Sequence, residues 1–361
     1  DGNTGSGGGG RIAMHYDPVA QAALPVPPIR FSAFAPKKTT ANIYRINAQD
    51  GTLWLPDNLW LTERLDQGRF RNVRLFTPVL DQWAPASLTL DDCILIMPEG
   101  YSLAIAGDLV MTNDAGLHLS AAPTNATGAR YGAELRVGRD LLLFEHAWIH
   151  PQAHTNDGAI VGIRVGRHVA IAAGGGIDAT GRGYQGTSGN SSGAGAGRHS
   201  NAGGGYGGTG GVYTGLTYSA AWPTYAGRSY GSPVLPLQPG SPAGWRGRSG
   251  YGVGGGGGAI HLLAGGTVRL DGTLAADGWN GCYWSGSGGS GGAVFVAGRR
   301  VSGCGRISVK GEAGTGDGGS GGGGRVAIWY GMGLAEIAAR LEHNMLVDLQ
   351  WHAPGTRFAG Q

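Results

Sequence analysis

One repeat governs what this chain can fold into. The string Gly265-Gly-Thr-Val-Arg-Leu-Asp-Gly-Thr-Leu-Ala-Ala-Asp-Gly278 overlays Gly298-Arg-Arg-Val-Ser-Gly-Cys-Gly-Arg-Ile-Ser-Val-Lys-Gly311, at an offset of 298 − 265 = 33 residues. Both follow G-x-x-V-x-x-x-G-x-Φ-x-Φ-x-G, where Φ is apolar or Ala. A further step of 33 reaches Gly331, at the end of Arg325-Val-Ala-Ile-Trp-Tyr330. A fixed period in this range marks a solenoid. Apolar residues alternate within each unit, so the units read as coils of short strands. One coil cannot bury its own apolar face. Stacking coils at about 4.8 Å per step pairs each strand with the next and builds a continuous core. Gly at fixed places turns the corners. The same register predicts Val268 over Val301 and Leu274 over Ile307.

Composition narrows the alternatives. Gly supplies 73 of 361 residues, about 20% against roughly 7% on average. Its spacing has no strict three-residue period, which excludes collagen. Ten Trp and 13 Tyr supply burial that a disordered chain lacks. The net charge of +3 contains no basic block, so nucleic acid is not an expected partner. No apolar run has the length to span a membrane as a helix. The chain starts in mid-motif at Asp1-Gly-Asn-Thr-Gly5, as expected of a processed or excised piece of a longer product.

The pattern divides the chain. Residues 1–16 form a repeat-like strand segment. Residues 17–40 are a Pro- and Ala-rich connector, since Pro breaks both helix and ladder. Residues 41–86 alternate apolar positions and read as a β cap or lead-in module. Residues 87–330 are the β-solenoid. They carry an insert at 182–258 that is rich in Gly, Ser, Tyr and Trp. A structureless loop of that length is unusual. The insert is therefore expected to lie on the solenoid flank as ordered, extended Gly-rich segments, with the shorter Gly loops stacked on the same side. Residues 331–361 hold a short helix, with Glu336 and Arg340 at i,i+4, and a terminal connector. That helix is expected to cap the solenoid.

A second repeat is much longer. Gly5-Ser-Gly-Gly-Gly-Gly-Arg-Ile-Ala-Met-His-Tyr16 matches Gly319-Ser-Gly-Gly-Gly-Gly-Arg-Val-Ala-Ile-Trp-Tyr330 at nine of twelve positions. Three origins fit: one period of a longer array, a detached coil that docks on a neighbouring subunit, or a coil duplicated inside one solenoid. The first two imply head-to-tail stacking. The expected contact residues are Gly5, Arg11, Ile12, Met14 and Tyr16 at one end, and Arg325, Val326, Ile328 and Tyr330 at the other.

Three stretches are familiar together. They are Val165-Gly-Arg-His-Val-Ala-Ile-Ala-Ala-Gly-Gly-Gly-Ile-Asp-Ala-Thr-Gly-Arg-Gly-Tyr184, the Gly/Tyr-rich insert followed by Gly254-Gly-Gly-Gly-Gly-Ala-Ile-His-Leu262, and Gly321-Gly-Gly-Gly-Arg-Val-Ala-Ile-Trp-Tyr330. Over roughly residues 159–330 the chain resembles the Gly-rich repeats of very large secreted bacterial surface proteins. That resemblance implies a right-handed parallel β-helix, an extracellular or cell-surface location and an adhesive or structural role. It brings no catalytic motif. Its partners would be further copies of itself and surface glycans.

Asp91-Asp92 is a carboxylate pair, but neighbours on a strand face opposite ways, and a polar turn is the simpler reading. His146, His150 and His154 recur every four residues, yet Pro151 argues against the helix a metal site would need. Asp157 is a turn residue first. Asp178, Asp271, Asp277 and Asp317 lie near corner glycines, where stacked carboxylates can bind Ca2+, but the acidic nonapeptide known for this is absent. No cofactor is expected, with Ca2+ the minor alternative. Tyr206, Tyr213, Trp222 and Trp245 of the insert can stack on sugars, join subunits or pack over Gly. Cys282 and Cys304 are candidates for a bridge, with idle thiols as the alternative. The leading expectation is a non-enzymatic structural solenoid. A glycan-binding adhesin comes second and a β-helix polysaccharide depolymerase third.

Overall fold

The computed structural model describes residues 8–35, 50–66, 68–124, 131–187, 190–199, 201–213, 222–244, 254–280 and 286–341. Its framework is three parallel sheets. The first contains Arg11–Ala13, Thr52–Trp54, Val73–Phe76, Ile94–Ile96, Gly116–Ser120, Trp148–Gln152, Gly176–Asp178, Thr273–Ala275 and Arg306–Ser308, in that spatial order. The second runs through Arg64–Leu65, Leu88–Asp91, Leu109–Thr112, Leu141–Leu143, Val169–Ile171, Thr267–Leu270 and Arg300–Ser302. The third runs through Leu103–Ile105, Tyr131–Val137, Ile160–Val165, Ala259–Ala264, Ala293–Ala297 and Arg325–Trp329. From Leu88 onward the chain visits the second, first and third sheets in strict rotation, and each circuit lands beside the previous one. That is a solenoid of parallel strands.

The two register pairs expected from the 33-residue repeat are present: Val268 opposes Val301 and Leu274 opposes Ile307. They are the last rungs of long apolar ladders. In the first sheet Leu95, Leu117, Ile149, Ile177, Leu274 and Ile307 stand one above another. In the second the file is Leu88, Leu109, Leu141, Val169, Val268 and Val301. In the third it is Leu103, Leu135, Ile163, Leu262, Val296 and Ile328. Alternation puts these side chains inside and their neighbours outside. Ile163 is fully buried in the middle of its file. Ile163→Ala should therefore cost about 2–5 kcal/mol. A shift in denaturant midpoint checks it, and a loss below about 1 kcal/mol would contradict a close-packed core.

The coils are also pinned at a corner by side chains, which the repeat alone did not reveal. Asp108 Oδ1 accepts the Asp140 amide at 3.0 Å, Asp140 Oδ1 accepts the His168 amide at 2.9 Å, and His168 Nδ1 accepts the Thr267 amide at 3.0 Å. Each corner side chain thus satisfies a backbone donor of the following coil. The signal was in the sequence: Gly107-Asp108, Gly138-Arg-Asp140 and Gly166-Arg-His168 each precede an apolar strand.

Three expectations change. The lead-in region is not a separate cap, because Thr52–Trp54 and Val73–Phe76 are ordinary rungs of the first sheet. The connector contains a short helix, Pro18–Ala22, started by Asp17, whose carboxylate accepts the Val19 and Ala20 amides. The C-terminal helix, residues 334–341, does not close the solenoid end. It lies on the outer face of the third sheet, where Ile337 and Leu341 pack with Leu263, Phe295 and Ala297. Its start is fixed by Glu336, which accepts the Gly333 amide at 2.7 Å.

The Gly-rich segments behave as expected where described. They stack on one flank, between the first and third sheets, and hydrogen-bond to one another. Gly257 donates to Ser290 O, Gly291 to Gly322 O, Gly322 to Gly204 O and Gly204 to Gly288 O. The insert is thereby stitched to the Gly loops of the next two coils. Gly is required for contact rather than for turning. A Cβ on Gly289 would overlap the Gly255 carbonyl, and one on Gly292 would overlap that of Gly258.

Candidate functional site: the open ends of the sheets

The last circuit ends in Arg300–Ser302, Arg306–Ser308 and Arg325–Trp329, the terminal strands of the three sheets at this end. Among the described residues no further strand pairs with their outer edges. The core opens here. Val326 and Ile328 continue the inward files of Val294 and Val296, yet they are 42% and 41% exposed, and Tyr330 is 74% exposed. Val294 and Val296, one rung below, are buried.

The strand itself is held firmly. Its Arg325 guanidinium lies 5.6 Å from the Tyr206 ring centre and donates to Tyr230 O at 3.1 Å. Trp329 meets Phe295 edge to face at 4.9 Å and is covered by Arg340 at 4.8 Å. Among the described residues the edge is apolar and unpaired, which is the condition for adding another strand.

The N-terminal copy of the motif sits at the opposite end. Arg11–Ala13 pairs in parallel with Thr52–Trp54 as the terminal strand of the first sheet. Tyr16 stacks on Trp60 at 4.8 Å and its hydroxyl donates to Asp57 at 2.5 Å. Burial and the Asp57 carboxylate push the Tyr16 phenol well above its ordinary range. Ile12, Met14 and Tyr16 are half-buried against the core. Gly5 lies outside the described residues. The two copies of one motif therefore occupy opposite ends and different sheets.

Of the four aromatic residues expected to form a sugar platform, two have described side chains, Tyr206 and Tyr213. Tyr206 is fully buried, between Tyr230 and the Arg325 guanidinium, so its ring has no face for a ligand. Tyr213 is at the surface, 40% exposed. Trp222 belongs to a short 3-10 turn, Trp222–Tyr225, and Trp245 lies outside the described residues. Tyr184 is buried as well, and burial together with the Asp157 charge pushes its phenol up to about 12. Tyr184 and Tyr206 pack the insert onto the flank.

The other candidates are likewise engaged within the chain. Cys304 is exposed and unbridged, with its thiol 3.6 Å from Asp271 Oδ1; Cys282 lies outside the described residues. Asp271 also pairs with Arg269 and accepts the Cys304 amide, which together hold it below the usual carboxylate range. Asp277 accepts the Ser308 hydroxyl and the Lys310 amide. Asp178 accepts the Thr180 amide. Asp91 faces Arg64 and Asn113, while Asp92 pairs with Arg71, so the two carboxylates do not share a site. His146, His150 and His154 part company too. His146 lies near Asp114 and Glu145, His150 stacks on His118, and His154 bonds Asp157. Among the described residues no group of three or more His, Cys, Asp or Glu is placed to hold a metal ion. A shallow groove of about 420 Å³ crosses the third sheet at Ala104, Arg136 and Arg164. Both of its arginines pair with Glu134.

No family model matches the chain, and no curated protein or solved structure matches it either. No helix among the described residues is long and apolar enough to cross a membrane.

Proposed function

We propose that this chain is a non-enzymatic, extracellular structural protein whose solenoid is right-handed and whose copies assemble head to tail into a fibre or surface layer. The observation that carries the proposal is the end of the sheets at the last coil: among the described residues, three unpaired strand edges over a core whose inward residues Val326 and Ile328 are about 40% exposed. Solenoids need polar end coils to stay monomeric, and among the described residues the helix that follows lies on a sheet face instead. A head-to-tail contact joins two different surfaces, and it propagates as an open filament where its rotation does not close a ring. Handedness follows the strong bias of parallel strand crossovers. The extracellular placement rests on the resemblance to secreted bacterial surface repeats. The non-enzymatic reading rests on the same resemblance, which brings no catalytic motif. Glycan binding is the weaker alternative, because the central tyrosine of the insert is buried.

Sedimentation velocity on the purified chain tests the proposal. Species should grow without limit as concentration rises. A single monomer boundary at every concentration would overturn it.

A further inference from the structure

Resting on the head-to-tail polymer, we infer that the joint is a strand donated by a second copy of this chain. Its segment Arg11–His15 adds in parallel to the free edge of Arg325–Trp329. The register places Arg11 beside Arg325, Ile12 beside Val326, Ala13 beside Ala327, Met14 beside Ile328 and His15 beside Trp329.

Three observations converge. The first is a mismatch between sequence and place. Each of the last three strands of the third sheet follows directly on glycine: Gly254–Gly258 before Ala259, Gly291-Gly292 before Ala293, Gly321–Gly324 before Arg325. Arg11 follows Gly7–Gly10 in the same way, yet it lies on the first sheet, whose neighbouring strands carry no such run. Only part of the run is used there: a Cβ on Gly9 would overlap the Ala33 carbonyl and the Gly51 amide, whereas one on Gly10 would meet nothing within 4 Å. The second is continuity of the files. Val294 and Val326 would be followed by Ile12, and Val296 and Ile328 by Met14. Two half-exposed apolar residues would then be covered by two apolar residues. The third is balance. The present pairing with Thr52–Trp54 covers three residues, whereas Arg325–Trp329 offers five. Moving a terminal strand from one edge to another exchanges like for like, which makes strand donation a low-cost route to assembly.

The vacant position is the strand edge, not the glycine run beside it. Gly207 and Gly208 of the insert already donate to Gly323 O. Arg325 is likewise turned onto Tyr206 and Tyr230, away from Arg11 of the incoming strand.

Engineered cysteines test the register. Neighbouring parallel strands place opposed Cα atoms about 4.8 Å apart, within disulfide range. In a C282S/C304S background, Ala13→Cys with Ala327→Cys should give a ladder of covalent oligomers on mild oxidation, and neither single variant should. Deleting residues 1–16 should leave a folded β monomer that no longer polymerises. If the intact chain forms filaments but the pair does not cross-link and the truncated chain still polymerises, strand donation is wrong and the head-to-tail polymer stands. If the intact chain never assembles, both fail.

Discussion

Replacing Gly289 with valine is expected to remove about 3 kcal/mol or more of stability, the upper end of overpacking effects. Chains with this change should be recovered largely unfolded or aggregated. The cause is backbone against backbone. A Cβ at Gly289 would overlap the Gly255 carbonyl, and one on Gly321 would in turn overlap that of Gly289. Neither neighbour is a side chain that can rotate away. Several amides of these runs donate across the stack, as Gly257 does to Ser290 O and Gly291 to Gly322 O. Separating the layers to admit two methyl groups would strand such donors away from water. Gly10→Val is the matched control. Its Cβ meets open space, and it should stay within about 0.5 kcal/mol of the parent. Paired melts of the two variants check this. Equal stability would mean that the glycine layers are not in contact in solution.

Lysine at both Val326 and Ile328 is expected to abolish polymerisation without unfolding the subunit. Each position is about 40% exposed in the single chain, so a lysine can lay its stem on the core and lift its ammonium into water. The melting temperature should barely move. In a joint between copies the same two side chains would be buried, and two ammonium groups would lose hydration without a partner. A loss of at least about 100-fold in association is the expected minimum, since every 1.4 kcal/mol is tenfold. Sedimentation velocity of the V326K/I328K variant reads this directly. A variant that polymerises like the parent would move the joint away from this edge.

Much of the framework was legible because the solenoid repeats. The 33-residue period placed Val268 on Val301 and Leu274 on Ile307, since parallel rungs in register force equivalent residues to coincide. The stacking of Gly runs followed from composition and period together. The corner file of Asp108, Asp140 and His168 was harder to see, because successive members are 32 and 28 residues apart (140 − 108 and 168 − 140) and differ in type. The helix is legible from Glu336 and Arg340 at i,i+4, but its docking site is not. Nothing in its own spacing distinguishes a sheet face from a sheet end. Tyr206 shows the same limit. A Tyr among glycines reads equally as a ligand platform or as packing over bare backbone, and the fold chooses packing against Arg325. The duplicated motif announced two related ends, but not that its copies would lie on different sheets.

Electron microscopy of the native chain at neutral pH, without added ligand, tests head-to-tail assembly most directly. Unbranched filaments are expected, built from subunits whose sheets hold six to nine rungs. At about 4.8 Å per rung that gives an axial repeat of roughly 30–45 Å. Isolated rods of one subunit's length at all concentrations would contradict the account.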